Sequence, residues 1–152
     1  MSIKESKKIY CIGIGGVGLS ALTQLFIDRG IDVSGSDRAR SPVIEMLEGQ
    51  GVEIYIDEES HIQKDHDICV FSIAIDENHP DRLKARELGI KEMTYPEALG
   101  EISKEYYTIA VSGTHGKTTT TGMIADILID GGLKPTVVVG SMLKKYNSNY
   151  IK

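Results

Sequence analysis

Short apolar runs alternate with longer helical patterns along almost the whole chain, and this alternation constrains the fold more than any other feature. Lys8-Ile9-Tyr10-Cys11-Ile12 reads as a buried strand. Gly16 to Asp28 reads as a helix with Leu19, Leu22, Leu25 and Phe26 on one face. Gly30 ends that helix, and Ile31 to Gly35 forms a second strand that its glycine weakens. Pro42 opens a helix that stops at Gly49 to Gly51. Val52 to Tyr55 and Ile68 to Phe71 read as strands. Pro80 opens a helix that runs to Gly89, and Pro96 opens one that ends near Lys104. Strands alternating with helices predict an α/β fold with a Rossmann-like, doubly wound parallel sheet.

The pattern then restarts. Tyr107 to Val111 is expected as a strand, followed by a glycine-bearing loop and a helix from Lys117 to about Asp130. Gly131-Gly132 closes the helix, and Thr136 to Val139 is the next strand. These elements make one βαβ unit, trailed by the mostly polar stretch Ser141 to Lys152. We therefore divide the chain into residues 1–103 and 104–152. The second segment is too small to bury a core alone, so it is expected to pack on the first domain, on a partner or on a second copy.

Composition excludes several classes. The 152 residues are 41% hydrophobic and 26% charged, the balance of a globular protein with a real core. No apolar run approaches 18 residues and no basic-then-apolar N-terminus is present, which argues against a membrane span or a secretory leader and for the cytoplasm. The net charge is −5, and the Lys144-Lys145 pair is too small to make a nucleic-acid groove. Cys11 and Cys69 each lie inside an apolar, strand-like run and are expected as buried free thiols. His61, His66 and His79 lack metal-ligand spacing and are expected on the surface or in loops, and Asp57-Glu58-Glu59 as a solvated face or a helix cap.

Two loops carry chemistry. Gly13-Ile14-Gly15-Gly16-Val17-Gly18 fits G-x-G-x-x-G between a strand and a helix. The first glycine permits the sharp turn, the second lets a phosphate approach the backbone, and the third lets helix and strand pack closely. Amides at the helix N-terminus then face the anion. Asp37, 19 positions after Gly18, is placed to accept a hydrogen bond from a ribose or a base. Such a site takes a diphosphate plus a ribose, which NAD, FAD and UDP-sugars all offer.

The second loop, Gly113-Thr114-His115-Gly116-Lys117-Thr118, is sharper. Its amides would wrap phosphate oxygens, Lys117 would reach the β- and γ-phosphates, and the Thr118 hydroxyl would ligate Mg²⁺. Thr119 is a further candidate phosphate contact, and Thr120 and Thr121 are expected to pack or to bond the helix backbone. The loop departs from G-x-x-x-x-G-K-[ST], because position 111, where the first glycine would fall, is Val. Phosphoryl transfer also needs a second acidic Mg²⁺ ligand. After Thr118 the only acidic side chains are Asp126 and Asp130, both on the helix and neither suited to it.

GIGGVGLS (Gly13 to Ser20), SGSD (Ser34 to Asp37) and SGTHGKTTTT (Ser112 to Thr121) together resemble the Mur ligase family, the ATP-dependent amide ligases of peptidoglycan precursor synthesis. Ser72-Ile73-Ala74-Ile75 followed by Pro80 is similar to the S-S-A-I…N-P stretch of the members that join L-alanine to UDP-N-acetylmuramate, with Ile73 for the second Ser. Val139-Gly140 and Asn147-Ser148-Asn149 resemble the segment that follows, with Asn147 where Gly is usual.

The resemblance implies that residues 1–103 bind UDP through Gly15, Gly16, Val17, Gly18, Asp37 and Ser72. It implies that residues 104–152 begin an ATP-binding domain, with ATP on Gly113 to Thr119, Lys117 and Thr118 acting in catalysis, and Mg²⁺ on Thr118. The γ-phosphate would pass to the lactyl carboxylate of UDP-N-acetylmuramate, and the amine of L-alanine would attack the acyl phosphate. Such ligases have three domains, so this chain is expected as a fragment that binds UDP without turnover. The alternatives are an NAD-binding oxidoreductase domain, in which the second loop has no task, and a non-catalytic nucleotide-binding module.

Overall fold

The computed structural model describes residues 2–152. Its elements are β1 (Lys8–Ile12), α1 (Val17–Asp28), β2 (Asp32–Ser36), α2 (Pro42–Gly49), β3 (Glu53–Tyr55), β4 (Ile68–Phe71), α3 (Pro80–Glu87), β5 (Lys91–Thr94), α4 (Tyr95–Ser103), α5 (Lys117–Asp130), β6 (Val137–Leu143) and β7 (Ser148–Ile151), after a short 3-10 turn at Ile3–Glu5. The first five strands form one parallel sheet in the order β3-β2-β1-β4-β5, as the alternating pattern predicts.

Central strands β1 and β4 are buried almost throughout, which is why they read as unbroken apolar runs. Their two faces serve two cores. On one side Ile9, Cys11, Ile68 and Val70 meet Leu19, Leu22, Leu25 and Phe26 of α1, Ile44 and Leu47 of α2, and Ala98 and Ile102 of α4. On the other, Tyr10, Ile12, Cys69 and Phe71 meet Ala85 of α3, Ile62 and Ile90. Burying each large apolar side chain stabilises the fold by about 1.5–3 kcal/mol. Both cysteines are buried and free, as expected. Burial pushes the Cys11 thiol up to about 12, so it is not a nucleophile at neutral pH.

Gly35, which by composition weakens β2, is required by packing. A Cβ there would stand 2.2 Å from the Cys11 carbonyl oxygen on the neighbouring strand. Strand β5, which the sequence reading does not contain, completes the sheet. Its sequence Lys-Glu-Met-Thr buries only Met93, so an edge strand with one inward side chain leaves almost no apolar signature.

The second segment departs from expectation in two places. Helix α5 and a strand after it are present, but residues 107–111 belong to no strand, and Tyr107 is 98% exposed. A strand exists only where a neighbour satisfies its N–H and C=O groups, and among the described residues none lies beside this stretch. Strand β6 is not parallel to an earlier strand; it pairs antiparallel with β7. The tail that reads as polar is thus half of a hairpin, with Asn147 in the turn region at φ +47°, a left-handed conformation that Asn tolerates in place of Gly.

This hairpin lies across α1. The side-chain amide of buried Asn149 donates to the Val17 carbonyl (2.5 Å) and to Ser20 Oγ (2.9 Å), and its oxygen accepts from Gln24 Nε2 (3.1 Å). The Tyr150 hydroxyl donates to Asp28 (2.6 Å). The second segment thus packs on the first domain of its own chain.

Candidate functional site

The first loop joins β1 to α1 at the carboxyl ends of the strands, the side on which open α/β sheets bind ligands. Gly13 takes φ +76°, a turn that L side chains rarely adopt. Its amide and that of Ile14 both donate to the Ser36 carbonyl (2.8 and 3.2 Å), which pins the turn to the end of β2. Gly16 caps α1, and the amides of Val17, Gly18 and Leu19 have no acceptor among the described residues. They are the donors that a helix start leaves for an anion.

Gly15 is enclosed. A Cβ there would be 2.9 Å from Ile44 and 3.0 Å from Asp37 Oδ2. Asp37 itself braces the turn. Its Oδ2 accepts from the Gly15 amide (2.8 Å), and its Oδ1 from the Arg38 amide (2.8 Å). Ser36, next to it, donates to buried Asp81 (2.5 Å), which also accepts from Ser60 (2.8 Å). This carboxylate at the start of α3 fixes the end of β2, and so Asp37, from the opposite layer. Sequence reading misses it because Asp at a helix start looks like an ordinary cap.

Ser72 follows β4, and its Cβ lies 3.4 Å from where a side chain on Gly13 would begin. The structure thus brings Gly15, Gly16, Val17, Gly18, Asp37 and Ser72 to one end of the sheet. His66 lies in a loop, as expected, but that loop folds over the sheet and leaves the ring buried and bonded to Ser34 (2.9 Å). His61 stacks on Tyr55 and His79 caps α3. No group of three metal-ligating side chains occurs among the described residues.

The second loop leads into α5 with Gly113 at φ +144° and Gly116 at φ +80° as the helix cap. The amides of Lys117, Thr118 and Thr119 again lack acceptors among the described residues. Lys117 Nζ folds back over the loop and donates to the carbonyls of Gly113 (2.5 Å) and Thr114 (3.2 Å). The Thr118 hydroxyl carries no hydrogen bond among the described residues, and Thr121 bonds the Lys117 carbonyl (2.8 Å), as expected of a threonine inside a helix. His115 and Thr119 are exposed. Asp126 is tied to Lys145 and Tyr146.

A parallel sheet with two glycine loops, each leading into a helix whose first amides lack acceptors, has the architecture of an α/β nucleotide-binding protein. Residues 8–107 match the model described as "Mur ligase family, catalytic domain", and the chain belongs to that family. It is 45% identical over 147 residues to the UDP-N-acetylmuramate–L-alanine ligase of Clostridium kluyveri and 43% identical over 146 residues to that of Clostridium novyi. Each match covers 95% of this chain and 32% of the relative, so the chain spans about a third of the length of the curated relatives it matches. Among solved structures, the UDP-N-acetylmuramate–alanine ligase of Thermotoga maritima superposes with a TM-score of 0.88 at 30% identity, covering 95% of this chain and 34% of that one. The UDP-N-acetylmuramate:L-alanyl-gamma-D-glutamyl-meso-diaminopimelate ligase from Neisseria gives 0.85 at 28%, covering 95% and 46%.

Proposed function

We propose that the chain is the UDP-sugar-binding part, with the beginning of the ATP-binding part, of a ligase that joins L-alanine to UDP-N-acetylmuramate in the cytoplasm. Residues 1–103 hold the UDP moiety and residues 104–152 begin the ATP site. The observation that carries this reading is the first loop. The free amides of α1 face the diphosphate, and Asp37 stands beside them for the nucleoside. Relatives with that name match across both loops.

In the complete reaction a carboxylate must become an electrophile, and transfer of the γ-phosphoryl group of ATP makes it an acyl phosphate. Lys117 leaves the loop carbonyls to neutralise the migrating group, and the amides of residues 117–119 hold the phosphate oxygens. The unbonded Thr118 hydroxyl fits one Mg²⁺ position, and the ion when bound screens the β- and γ-phosphate charge. Asp126, on the helix that Thr118 opens, is held by Lys145 and Tyr146 instead of standing free for the ion, which supports nucleotide binding without turnover by this chain. Calorimetric titration with UDP-N-acetylmuramate, with NADH as control, tests the reading. Saturable binding of the UDP-sugar alone is expected, and binding of NADH alone would move the chain to the oxidoreductases.

A further inference from the structure

We propose that Tyr95 is a ligand-contacting residue of the first site, its phenol donating a hydrogen bond to the distal phosphate of the bound diphosphate. The inference rests on the UDP-sugar reading above. Tyr95 opens α4 directly after β5, so it stands at the same carboxyl edge as Ser72 and Asp37. Its ring lies on the first turn of α1. A Cβ on Gly18 would be 3.0 Å from Tyr95 Cζ, 3.2 Å from Cε1 and 3.3 Å from the hydroxyl oxygen. The polar end of the side chain, and not just its ring, therefore reaches the helix turn whose amides are open.

That hydroxyl has no protein partner among the described residues, yet it is not sealed off. Among the described residues Tyr10 carries the sole side-chain oxygen that is both buried and unbonded. Half-burial raises the phenol's pKa, so it stays protonated and can act as a donor. An anion on the α1 amides is the strongest acceptor such a donor can meet.

Strand order gives the contact its polarity. Asp37 follows β2 on one side of β1, whereas Ser72 and Tyr95 follow β4 and β5 on the other. With the nucleoside on the Asp37 side, the distal phosphate and the sugar fall on the Tyr95 side. The Gly18–Tyr95 contact also explains why position 18 has no side chain.

Calorimetric titration of the chain and its Tyr95→Phe variant with UDP and with UMP tests this. Phe keeps the ring over Gly18 and removes only the hydroxyl. UDP affinity is expected to fall about tenfold while UMP affinity, which lacks the distal phosphate, stays the same. General loosening of the fold would weaken both ligands together, and that outcome overturns the proposal. Unchanged UDP affinity in Tyr95→Phe overturns it as well, but leaves the UDP site standing. Failure of the unsubstituted chain to bind UDP removes the site reading and the proposal with it.

Discussion

The two loops are built to the same local recipe and set in opposite surroundings. Each places at least one glycine at positive φ before a helix whose first three amides are open, Gly13 in the first and Gly113 and Gly116 in the second. The loop at 13–18 is held on every side: by Ser36 of β2, by Asp37, by Ile44 of α2, and by Ser72 and Tyr95 beyond β4 and β5. The loop at 113–118 has no flanking strand pair. It is braced by its own lysine, and α5 beside it exposes Met123 and Ile127 at 61% and 69%. An anion cradle is thus a property of a few consecutive residues, whereas its rigidity and selectivity come from neighbours far away in sequence.

Substitutions that read stability and binding separately should split the two regions. The largest effect is expected from Gly35→Ala, which drives a methyl into the Cys11 carbonyl and should cost about 3 kcal/mol in denaturant unfolding. The matching change in the second region, Gly140→Ala, meets open space and should stay within about 0.5 kcal/mol. Equal costs would mean that the sheet of the first region is not what holds it. Next, Lys117→Met should weaken ATP binding by about a hundredfold through loss of the phosphate contact. It should leave UDP affinity and the melting temperature unchanged, since Lys117 is exposed and bonds only its own loop. Asp37→Ala is expected to do the converse, lowering UDP affinity about tenfold and sparing ATP. A loss of both nucleotides in either variant would show that the loops are coupled through the Asn149 contact on α1.

The smallest effect concerns pH. Burial holds His66 below its ordinary value of 6.5. As pH falls, the unfolded chain therefore takes up this proton before the folded one. Stability from the neutral, buried ring is present above about 6.5 and is lost as pH drops from there toward the folded value. His66→Gln should flatten the decline in melting temperature between pH 7 and pH 5. An unchanged slope would assign the decline to other groups.

Much of the fold is legible in the order of the residues alone. Strands β1 and β4 announce themselves as apolar runs because both their faces are buried, and α1 shows its apolar stripe. Both loops are readable because glycine, lysine and threonine at fixed spacing act through the backbone of consecutive residues. Harder to read were elements with one inward side chain, such as β5, and polar residues whose burial depends on a distant partner, such as Asn149, Asp81 and His66.

By itself the sequence determined the parallel α/β sheet, most of the breaks between its elements, the two glycine loops that open helices and the family those loops mark. Only the tertiary structure decided that residues 107–111 stay out of any strand, that β6 turns back on β7, and that this hairpin docks on α1 through Asn149. It also decided that Tyr95 and Asp81 stand at the first site. The physical reason is range. Periodicity and turn glycines act over a few residues, but a strand needs a neighbour, and a buried amide or carboxylate needs a partner, that the chain supplies only once it has folded.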